Sequence, residues 1–271
     1  MAGDYVHGYS GREARRLIDQ ASSLAELLHW DTVFPTNSDV LEAGCGVGAQ
    51  TTTIARNSPQ TRFLSIDLSA DSLAVARERT TDAGITNVAF LQADIFNLPF
   101  REQSFDHVFV CFVLEHLRDP VSALVCLKRL LKPGGSVMAI EGDHGFAYFH
   151  PESADARRAI QCLIDLQAGM GGDALIGRRL YPLLAEAGFK EVTVSPRMVY
   201  VDASRPQLVD GFTRNTFNAM VEGVRAKAIA RGLIDPESWG RGIRDLHRTT
   251  ERDGVFCYTF FKGVGEKRPA R

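Results

Sequence analysis

The chain has 271 residues, of which 45% are hydrophobic, and a formal net charge of -2 with an isoelectric point of 6.4. This balance gives no electrostatic argument for a nucleic-acid partner, and no apolar run reaches the ~18 residues of a membrane span. The N-terminus lacks the apolar core of a secretory signal. The five cysteines are scattered without a C-x-x-C pair, so we expect reduced thiols, no metal site and a cytoplasmic protein.

The first predicted element is a helix that begins at a capping box. Ser10 and Glu13 have the spacing in which each side chain satisfies a backbone amide of the first turn. Apolar residues then recur at helical spacing to about Trp30.

The segment from Val40 to Gly48 predicts a strand that carries Glu42 near its end and continues into a glycine-rich turn. Three glycines on alternate positions let the backbone approach a ligand closely, ahead of a helix over residues 49–56. The spacing also fits the loose dinucleotide fingerprint. This segment alone therefore leaves NAD and S-adenosylmethionine (SAM) as alternatives.

Acidic residues also follow the next two predicted strands. Asp67 comes about 20 residues after the glycines, where a carboxylate that binds ribose hydroxyls is expected. Asp94 follows the third strand, where a carboxylate can accept a hydrogen bond from an adenine amino group. Three successive strands thus end at an acid, which favours an adenosine ligand.

Later elements continue the alternation of strand and helix, which predicts a mostly parallel sheet. Ser69 predicts the start of one helix. Asp119 and Pro120 predict the start of another, and Pro133 to Gly135 predict its end. A fifth strand is expected over residues 136–141, followed by an aromatic-rich turn and an apolar helix. We divide the rest of the chain into a first insertion (142–176), a helix with strand six (177–203), a second helical insertion (204–253), a last strand (254–264) and a tail (265–271).

Taken in order, these motifs resemble those of class I SAM-dependent methyltransferases. The resemblance covers residues 38–141 and rests on Glu42 to Gly48, Asp67, Asp94, Phe105 to Val108 and Leu131 to Gly135. It implies an α/β fold with a doubly wound, seven-stranded Rossmann-like sheet, an antiparallel last strand and helical lid insertions after strands five and six. It also implies SAM as cofactor, with S-adenosyl-L-homocysteine (SAH) as product.

The resemblance implies a role for each part of the cofactor site. The glycine turn holds the methionine part of SAM, Gln50 its carboxylate, Asp67 the ribose and Asp94 the adenine. Residues 1–37 form a helical cap over the cofactor, with Tyr9 preferred to Tyr5 as the covering side chain. The expected cofactor-binding residues are Tyr9, Glu42, Gly44, Cys45, Gly46, Gly48, Gln50, Asp67, Leu68, Asp94, Ile95, Cys111 and Phe112.

The acceptor side is less defined. Candidates for catalysis are Tyr9, His116 and His144, and candidates for substrate contact are Phe146, His150 and Tyr200. Each has an ordinary alternative, since aromatic residues pack cores and a histidine often fixes a loop through hydrogen bonds.

A looser similarity to bacterial small-molecule methyltransferases of the teleocidin type implies C-methylation of a small hydrophobic metabolite in secondary metabolism. O- or N-methylation of a small metabolite or a quinone precursor stays open, as does a homo-oligomer formed through the N-terminal segment. Two alternatives belong to other classes: an NAD-dependent oxidoreductase and a SAM-binding protein without catalytic activity.

Overall fold

A computed structural model describes residues 24–268. Within this range seven strands form one sheet in the order β3-β2-β1-β4-β5-β7-β6, with β7 antiparallel, which confirms the expected fold. Residues 1–23 of the expected helical cap, which include Tyr5, Tyr9 and the capping box, lie outside the described residues, and residues 24–29 are helical. The strands are β1 Asp39–Ala43, β2 Arg62–Asp67, β3 Val88–Gln92, β4 Phe105–Cys111, β5 Leu131–His150, β6 Lys190–Asp202 and β7 Val255–Glu266.

The centre of the sheet is parallel. β1 pairs with β2 and β4, so that Leu41 lies opposite both Leu64 and Val108. β2 pairs with β3, and β4 with β5, in the same sense. The carboxyl ends of these strands therefore meet at one edge of the sheet, which is where open α/β sheets bind ligands.

Two helices begin as the sequence predicts. Ser69 precedes the helix Ala70–Asp82 and accepts a hydrogen bond from the Ser72 amide at 3.1 Å. Asp119 precedes Pro120–Leu130 and accepts from Ser122 at 2.9 Å. The other α-helices are Thr51–Asn57, Ala154–Gly169, Leu180–Glu186, Pro206–Leu208, Ala219–Gly223, Arg225–Ala230 and Pro236–Arg248, with a π-helix at Val209–Asn218 and 3₁₀ turns at Leu114–His116 and Ile176–Arg179.

β5 differs from the expectation. It runs over Leu131–His150, so the predicted aromatic-rich turn after residue 141 is wrong and the chain there is strand. The reason is an alternation that the aromatic composition obscured: Ala147 and Phe149 are buried, whereas Tyr148 and His150 are exposed.

The predicted turn at Pro133 to Gly135 is present as an irregularity within β5. Pairing with β4 jumps from Leu131 opposite Phe105 to Ser136 opposite His107. Two of the intervening residues form backbone hydrogen bonds with Lys267. The Gly134 amide donates to the Lys267 carbonyl at 2.7 Å, and the Lys267 amide donates to the Gly135 carbonyl at 2.8 Å.

The described chain divides into two units. The core unit consists of Ala25–Glu141, Ile176–Arg197 and residues 260–268. Its hydrophobic core lies between strands and helices and includes Leu41, Val108 and Leu124.

The helical unit consists of Gly142–Leu175 and Met198–Thr259. Its helices Ala154–Gly169 and Pro236–Arg248 approach closely at Gly242, where a β-carbon would lie 2.5 Å from the Asp155 carbonyl oxygen. An aromatic cluster fills its interior, with Phe217 and Phe256 ring centroids 4.7 Å apart. No helix within residues 24–268 has the length and apolar character needed to cross a membrane.

Candidate functional site

The glycine turn after β1 is held tightly on both sides. Gly44 has φ of +77°, and a β-carbon there would lie 2.5 Å from Cγ2 of Val113. At Gly48, with φ of +70°, a β-carbon would lie 3.0 Å from that of Ala76. The Gly44 amide donates to the Ile66 carbonyl at 2.8 Å, which ties the turn to the end of β2. Only glycine fits positions 44 and 48 without movement of the neighbouring chain.

Asp67 joins the end of β2 to the glycine turn. Its Oδ2 accepts from the Gly46 amide at 2.8 Å, and its Oδ1 accepts from the Ser69 amide at 2.9 Å. Each carboxylate oxygen accepts more than one hydrogen bond, so both still have capacity for ligand hydroxyls. Asp67 thus supports the start of the following helix and also contacts the glycine turn.

Glu42 is buried beneath the turn. Its Oε2 accepts from the hydroxyls of Thr51 at 2.8 Å and Ser65 at 2.6 Å. Burial raises the pKa of Glu42 to about 7, against the lowering effect of these two hydrogen bonds. Glu42 therefore links the first helical residue after the turn to β2.

Gln50 lies in a network that sequence reasoning missed. Its Oε1 is 2.7 Å from Nε2 of His29, and Nδ1 of His29 is 3.3 Å from the Thr32 hydroxyl. Burial lowers the pKa of His29 to about 4, so the imidazole is neutral near pH 7. The Thr32 hydroxyl accepts from the Lys262 ammonium at 3.0 Å. Because the Gln50 Oε1 can only accept, Nε2 of the neutral ring carries the proton, and Nδ1 accepts from the Thr32 hydroxyl.

The same network continues to two cations around Asp31. Lys262 donates to Asp31 at 2.6 Å and Arg197 at 2.5 Å. Although burial opposes it, these hydrogen bonds hold the pKa of Asp31 below its usual range. No sequence motif signals this cluster, because its members come from the segment before β1 and from β6 and β7.

The expected adenine residues differ in what they offer. Leu68, directly after Asp67, is 52% exposed and presents an apolar surface. Asp94 accepts from the Phe96 amide at 2.9 Å through Oδ1, as a turn aspartate does. The side chain of Ile95 is buried in the core, so its backbone is the part that a ligand can reach.

β4 ends in a strained turn. Phe112 has φ of +57°, which is rare for a bulky side chain and typical of functional sites. Its amide donates to the Ile140 carbonyl at 2.9 Å, and its ring packs against Phe260 with centroids 5.5 Å apart. Burial raises the pKa values of Cys111 and Cys45, so both are neutral thiols rather than nucleophiles.

Glu141 is, like Glu42, a buried acid of the core unit, but sequence reasoning did not identify it. Its Oε1 accepts from the amides of Val113 at 3.0 Å and Leu114 at 2.7 Å. The only signal in the sequence is an acid at the end of an apolar strand, as at Glu42.

The acceptor-side candidates belong to both units. His116, in the core unit, has Nε2 3.7 Å from an oxygen of Glu115. His144, in the helical unit, is buried, and its Nδ1 lies 2.7 Å from the Tyr258 hydroxyl. Three further candidates lie in the helical unit: Phe146 is partly buried, and His150 and Tyr200 are exposed. Tyr9 lies outside the described residues.

Among residues 24–268, no group of three or more His, Cys, Asp and Glu side chains is arranged to hold a metal ion. All five cysteines are free thiols.

Comparison with known proteins places the site in a family. Residues 41–139 match the model of a methyltransferase domain. An uncharacterised 37.1 kDa protein of transposon Tn4556 from Streptomyces fradiae is 34% identical over 198 residues, or 72% of this chain and 56% of that protein. A demethylmenaquinone methyltransferase of Lactococcus lactis is 32% identical over 110 residues, or 40% of this chain and 44% of that protein. The chain thus spans about half the length of these relatives.

Among solved structures, phosphoethanolamine N-methyltransferase 2 of Haemonchus contortus superimposes with a TM-score of 0.58 at 16% identity, over 96% of this chain and 59% of that one. At this identity the likeness shows the fold alone. The sheet order and the matched residues 41–139, which contain the glycine turn, Asp67 and Asp94, show that this part of the chain is a methyltransferase domain of the class I SAM-dependent type.

Proposed function

We propose that this protein transfers the methyl group of SAM to a small molecule. The observation that carries the proposal is the position of Asp67. Its carboxylate accepts a hydrogen bond from the Gly46 amide and can accept further hydrogen bonds from ribose hydroxyls. The surroundings fit SAM: Gly44 and Gly48 allow close backbone approach, and the exposed Leu68 gives an apolar face for adenine.

In this proposal the residues bind and orient the donor. Gly44, Cys45, Gly46 and Gly48 pass along the methionine part, Glu42 organises the turn, and Gln50 binds the SAM carboxylate. Asp67 holds the ribose, while Asp94 and the backbone of Ile95 hold the adenine. The turn at Cys111 and Phe112 offers a backbone carbonyl to the SAM ammonium. The SAM sulfonium supplies an activated methyl group, so the protein contributes position and exclusion of water.

Calorimetry with SAM, SAH and NADH tests the donor. We expect SAM and SAH to bind at micromolar strength and NADH to give no heat. Binding of NADH with no heat from SAM or SAH would support the oxidoreductase alternative. That alternative leaves Asp94 and the turn at Pro133 to Gly135 unexplained.

For the acceptor we favour carbon methylation of a small hydrophobic metabolite, as in secondary metabolism. Aromatic faces of the helical unit, such as Phe146 and Tyr200, would contact such an acceptor and stabilise a developing cation. An O- or N-methyltransferase is the alternative. The similarity to a demethylmenaquinone methyltransferase supports a quinone precursor as one acceptor to test.

Incubation with methyl-labelled SAM and a panel of indoles, quinols, phenols and amines tests the acceptor class. Label in a stable C–CH₃ product supports carbon methylation, whereas label in a methyl ether or methylamine contradicts it. Binding of SAM without transfer to any member of the panel favours the non-catalytic alternative.

Proton removal, where the acceptor needs it, is assigned to Tyr9, His116 or His144. We further propose that the N-terminal segment mediates a homo-oligomer, and that the enzyme works in the cytoplasm, since its thiols are free. Light scattering of the full chain and of a chain lacking residues 1–23 tests the oligomer. The same number of chains per particle in both samples would contradict it.

A further inference from the structure

Gln50, which follows the glycine turn, has an amide that is held from one side only. The side chain is partly exposed, and its Oε1 accepts from Nε2 of the buried His29 at 2.7 Å. Its Nε2 has no hydrogen-bond partner within residues 24–268. Because the oxygen and the nitrogen of a planar amide point in different directions, the bond to His29 turns the N–H donors of Gln50 away from the ring.

His29 is itself fixed in place, so it can hold this orientation. Its ring packs against Phe109 of β4 with centroids 5.9 Å apart, and its carbonyl accepts from the Asn57 side chain at 3.0 Å. Asn57 is the last residue of the helix that Gln50 precedes. The backbone of Gln50 is fixed as well, since its carbonyl accepts from the Thr53 amide at 2.9 Å. The amide of Gln50 is therefore fixed at the backbone and at its oxygen.

The hydrogen bonds behind His29 support the same direction. The buried Lys262 ammonium can only donate, and it lies 3.0 Å from the Thr32 hydroxyl. That hydroxyl lies 3.3 Å from Nδ1 of His29 and can donate its own proton there, which leaves Nε2 as the donor to Gln50. A charged ring would also carry a proton on Nε2, so the direction of this bond does not depend on the charge of His29.

The charges beside this network favour an anion at Gln50. Asp31 is shared by two cations, Lys262 at 2.6 Å and Arg197 at 2.5 Å, so this cluster carries a net positive charge. A positive cluster and an outward amide N–H both suit a carboxylate and oppose an ammonium group. The amino-acid end of SAM carries one group of each kind, so the orientation of Gln50 decides which of them it binds.

We propose that His29 is a positioning residue for the methyl donor: it fixes the amide of Gln50 so that the N–H donors face the carboxylate of SAM. This inference rests on the proposed function, in which Gln50 binds that carboxylate. Without the imidazole, the amide can rotate and present its oxygen, which repels a carboxylate. SAM and SAH share the amino-acid end, so His29 acts on both.

Calorimetry with SAH and with 5′-methylthioadenosine tests the proposal. The second ligand keeps the adenosine and the thioether but lacks the amino-acid end. We expect His29→Phe, which keeps a ring beside Phe109, to lower SAH affinity about fivefold and to leave methylthioadenosine affinity within about twofold of wild type. His29→Gln supplies an N–H near the position of Nε2 and should restore most of the SAH affinity.

Two further variants separate positioning from general damage. In a Gln50→Ala background, His29→Phe should cause no additional loss of SAH affinity, because the amide that it orients is absent. His107→Phe is the matched control: this partly buried ring lies 2.8 Å from the Ser136 hydroxyl, but it belongs to the first half of β4, away from the carboxyl ends of the strands. It should leave SAH affinity unchanged.

Three results would overturn the inference while leaving the proposed function in place. These are unchanged SAH affinity in His29→Phe, an equal loss for methylthioadenosine, and additive losses in the double variant. Wild-type protein that binds neither SAM nor SAH would overturn the proposed function itself.

A measurement on the wild type decides the matter if His29→Phe does not fold. Proton–nitrogen NMR spectra distinguish the two ring nitrogens of a histidine, and the signals of His29 are those that disappear in His29→Gln. We expect a proton on Nε2 of His29, as the bond to Gln50 requires. A bare Nε2 would overturn the inference.

Discussion

The core unit and the helical unit show how differently donor and acceptor sites are encoded. In the core unit the proposed donor site consists of backbone conformation and strand-end acids, such as Gly44 and Asp67, that few other residue types can replace. In the helical unit the candidates are aromatic side chains and a histidine, which are also the material of an ordinary core. A site built on the backbone leaves a sequence signature, whereas a site built on side-chain packing does not.

The strongest way to break the core side of this comparison is Gly44→Ala. The new β-carbon would take a left-handed φ of +77° and lie 2.5 Å from Cγ2 of Val113. Strain and overpacking together amount to about 3 kcal/mol. Because the turn must move away from its binding conformation to relieve them, we expect SAH affinity to fall by as much as roughly 100-fold.

Gly232→Ala is the matched control for Gly44→Ala. Gly232 has φ of +68°, but a β-carbon there would meet no atom within 4 Å, so this variant tests backbone strain without the clash. SAH binding by Gly44→Ala at wild-type strength would show that the turn is looser than its contacts indicate.

The second prediction concerns two buried groups of the core unit with opposite pH dependence. The pKa of Glu42 is raised from 4.5 to about 7, so its contribution to stability is lost as pH rises through that window. The pKa of His29 is lowered from 6.5 to about 4, so its contribution is lost as pH falls through that window. Each shift corresponds to about 3 kcal/mol, and between pH 4.5 and 6.5 the two contributions offset each other.

Removal of one group should reveal the other. We expect Glu42→Gln to lose stability relative to wild type as pH falls from 6.5 towards 4.5. His29→Gln should gain stability over the same interval. Urea denaturation at four pH values measures both, and slopes equal to that of the wild type would contradict the assigned protonation states.

A smaller effect is expected for Asp67→Asn. The amide loses the charge of a carboxylate that accepts from Gly46 and Ser69, and it places an N–H where an acceptor is needed. We expect SAH affinity to fall by roughly tenfold, with the fold intact. Asp71→Asn, an exposed acid of the following helix, should leave binding unchanged, and an equal effect of both variants would count against a ribose contact.

The smallest effect tests the helical unit. Tyr258→Phe removes the hydrogen bond between the Tyr258 hydroxyl and His144, which is buried. We expect the free energy of unfolding to fall by about 1–2 kcal/mol and SAH affinity to stay at the wild-type value. Tyr148→Phe, at an exposed position, should change neither. A loss of SAH affinity in Tyr258→Phe would contradict the proposal that only the core unit binds the donor.

The sequence was sufficient for the elements that local chemistry dictates. The caps at Ser69 and Asp119 and the order of the sheet follow from patterns within a few residues or from the family motifs. β5 was predicted too short, because its outer half carries glycine, histidine and aromatic residues in an alternation that only burial reveals.

Long-range partners could not be predicted from the sequence. His29 reaches Gln50, and Glu141 reaches Val113, across 21 and 28 residues of chain. A single buried histidine or glutamate carries no periodicity or motif, so these parts of the site became visible only once the strands were in register. The π-helix Val209–Asn218 was missed for a similar reason, since its sequence also fits an α-helix.

The network of His29, Thr32 and Lys262 has a consequence for how this protein can vary. Its hydrogen bonds run in one direction, from the Lys262 ammonium through the Thr32 hydroxyl and the His29 ring to Gln50. Replacing any one member removes a donor or an acceptor and leaves a neighbour unsatisfied. Positions 29, 32, 50 and 262 should therefore change together among functional variants, as a single inherited unit spread over most of the chain.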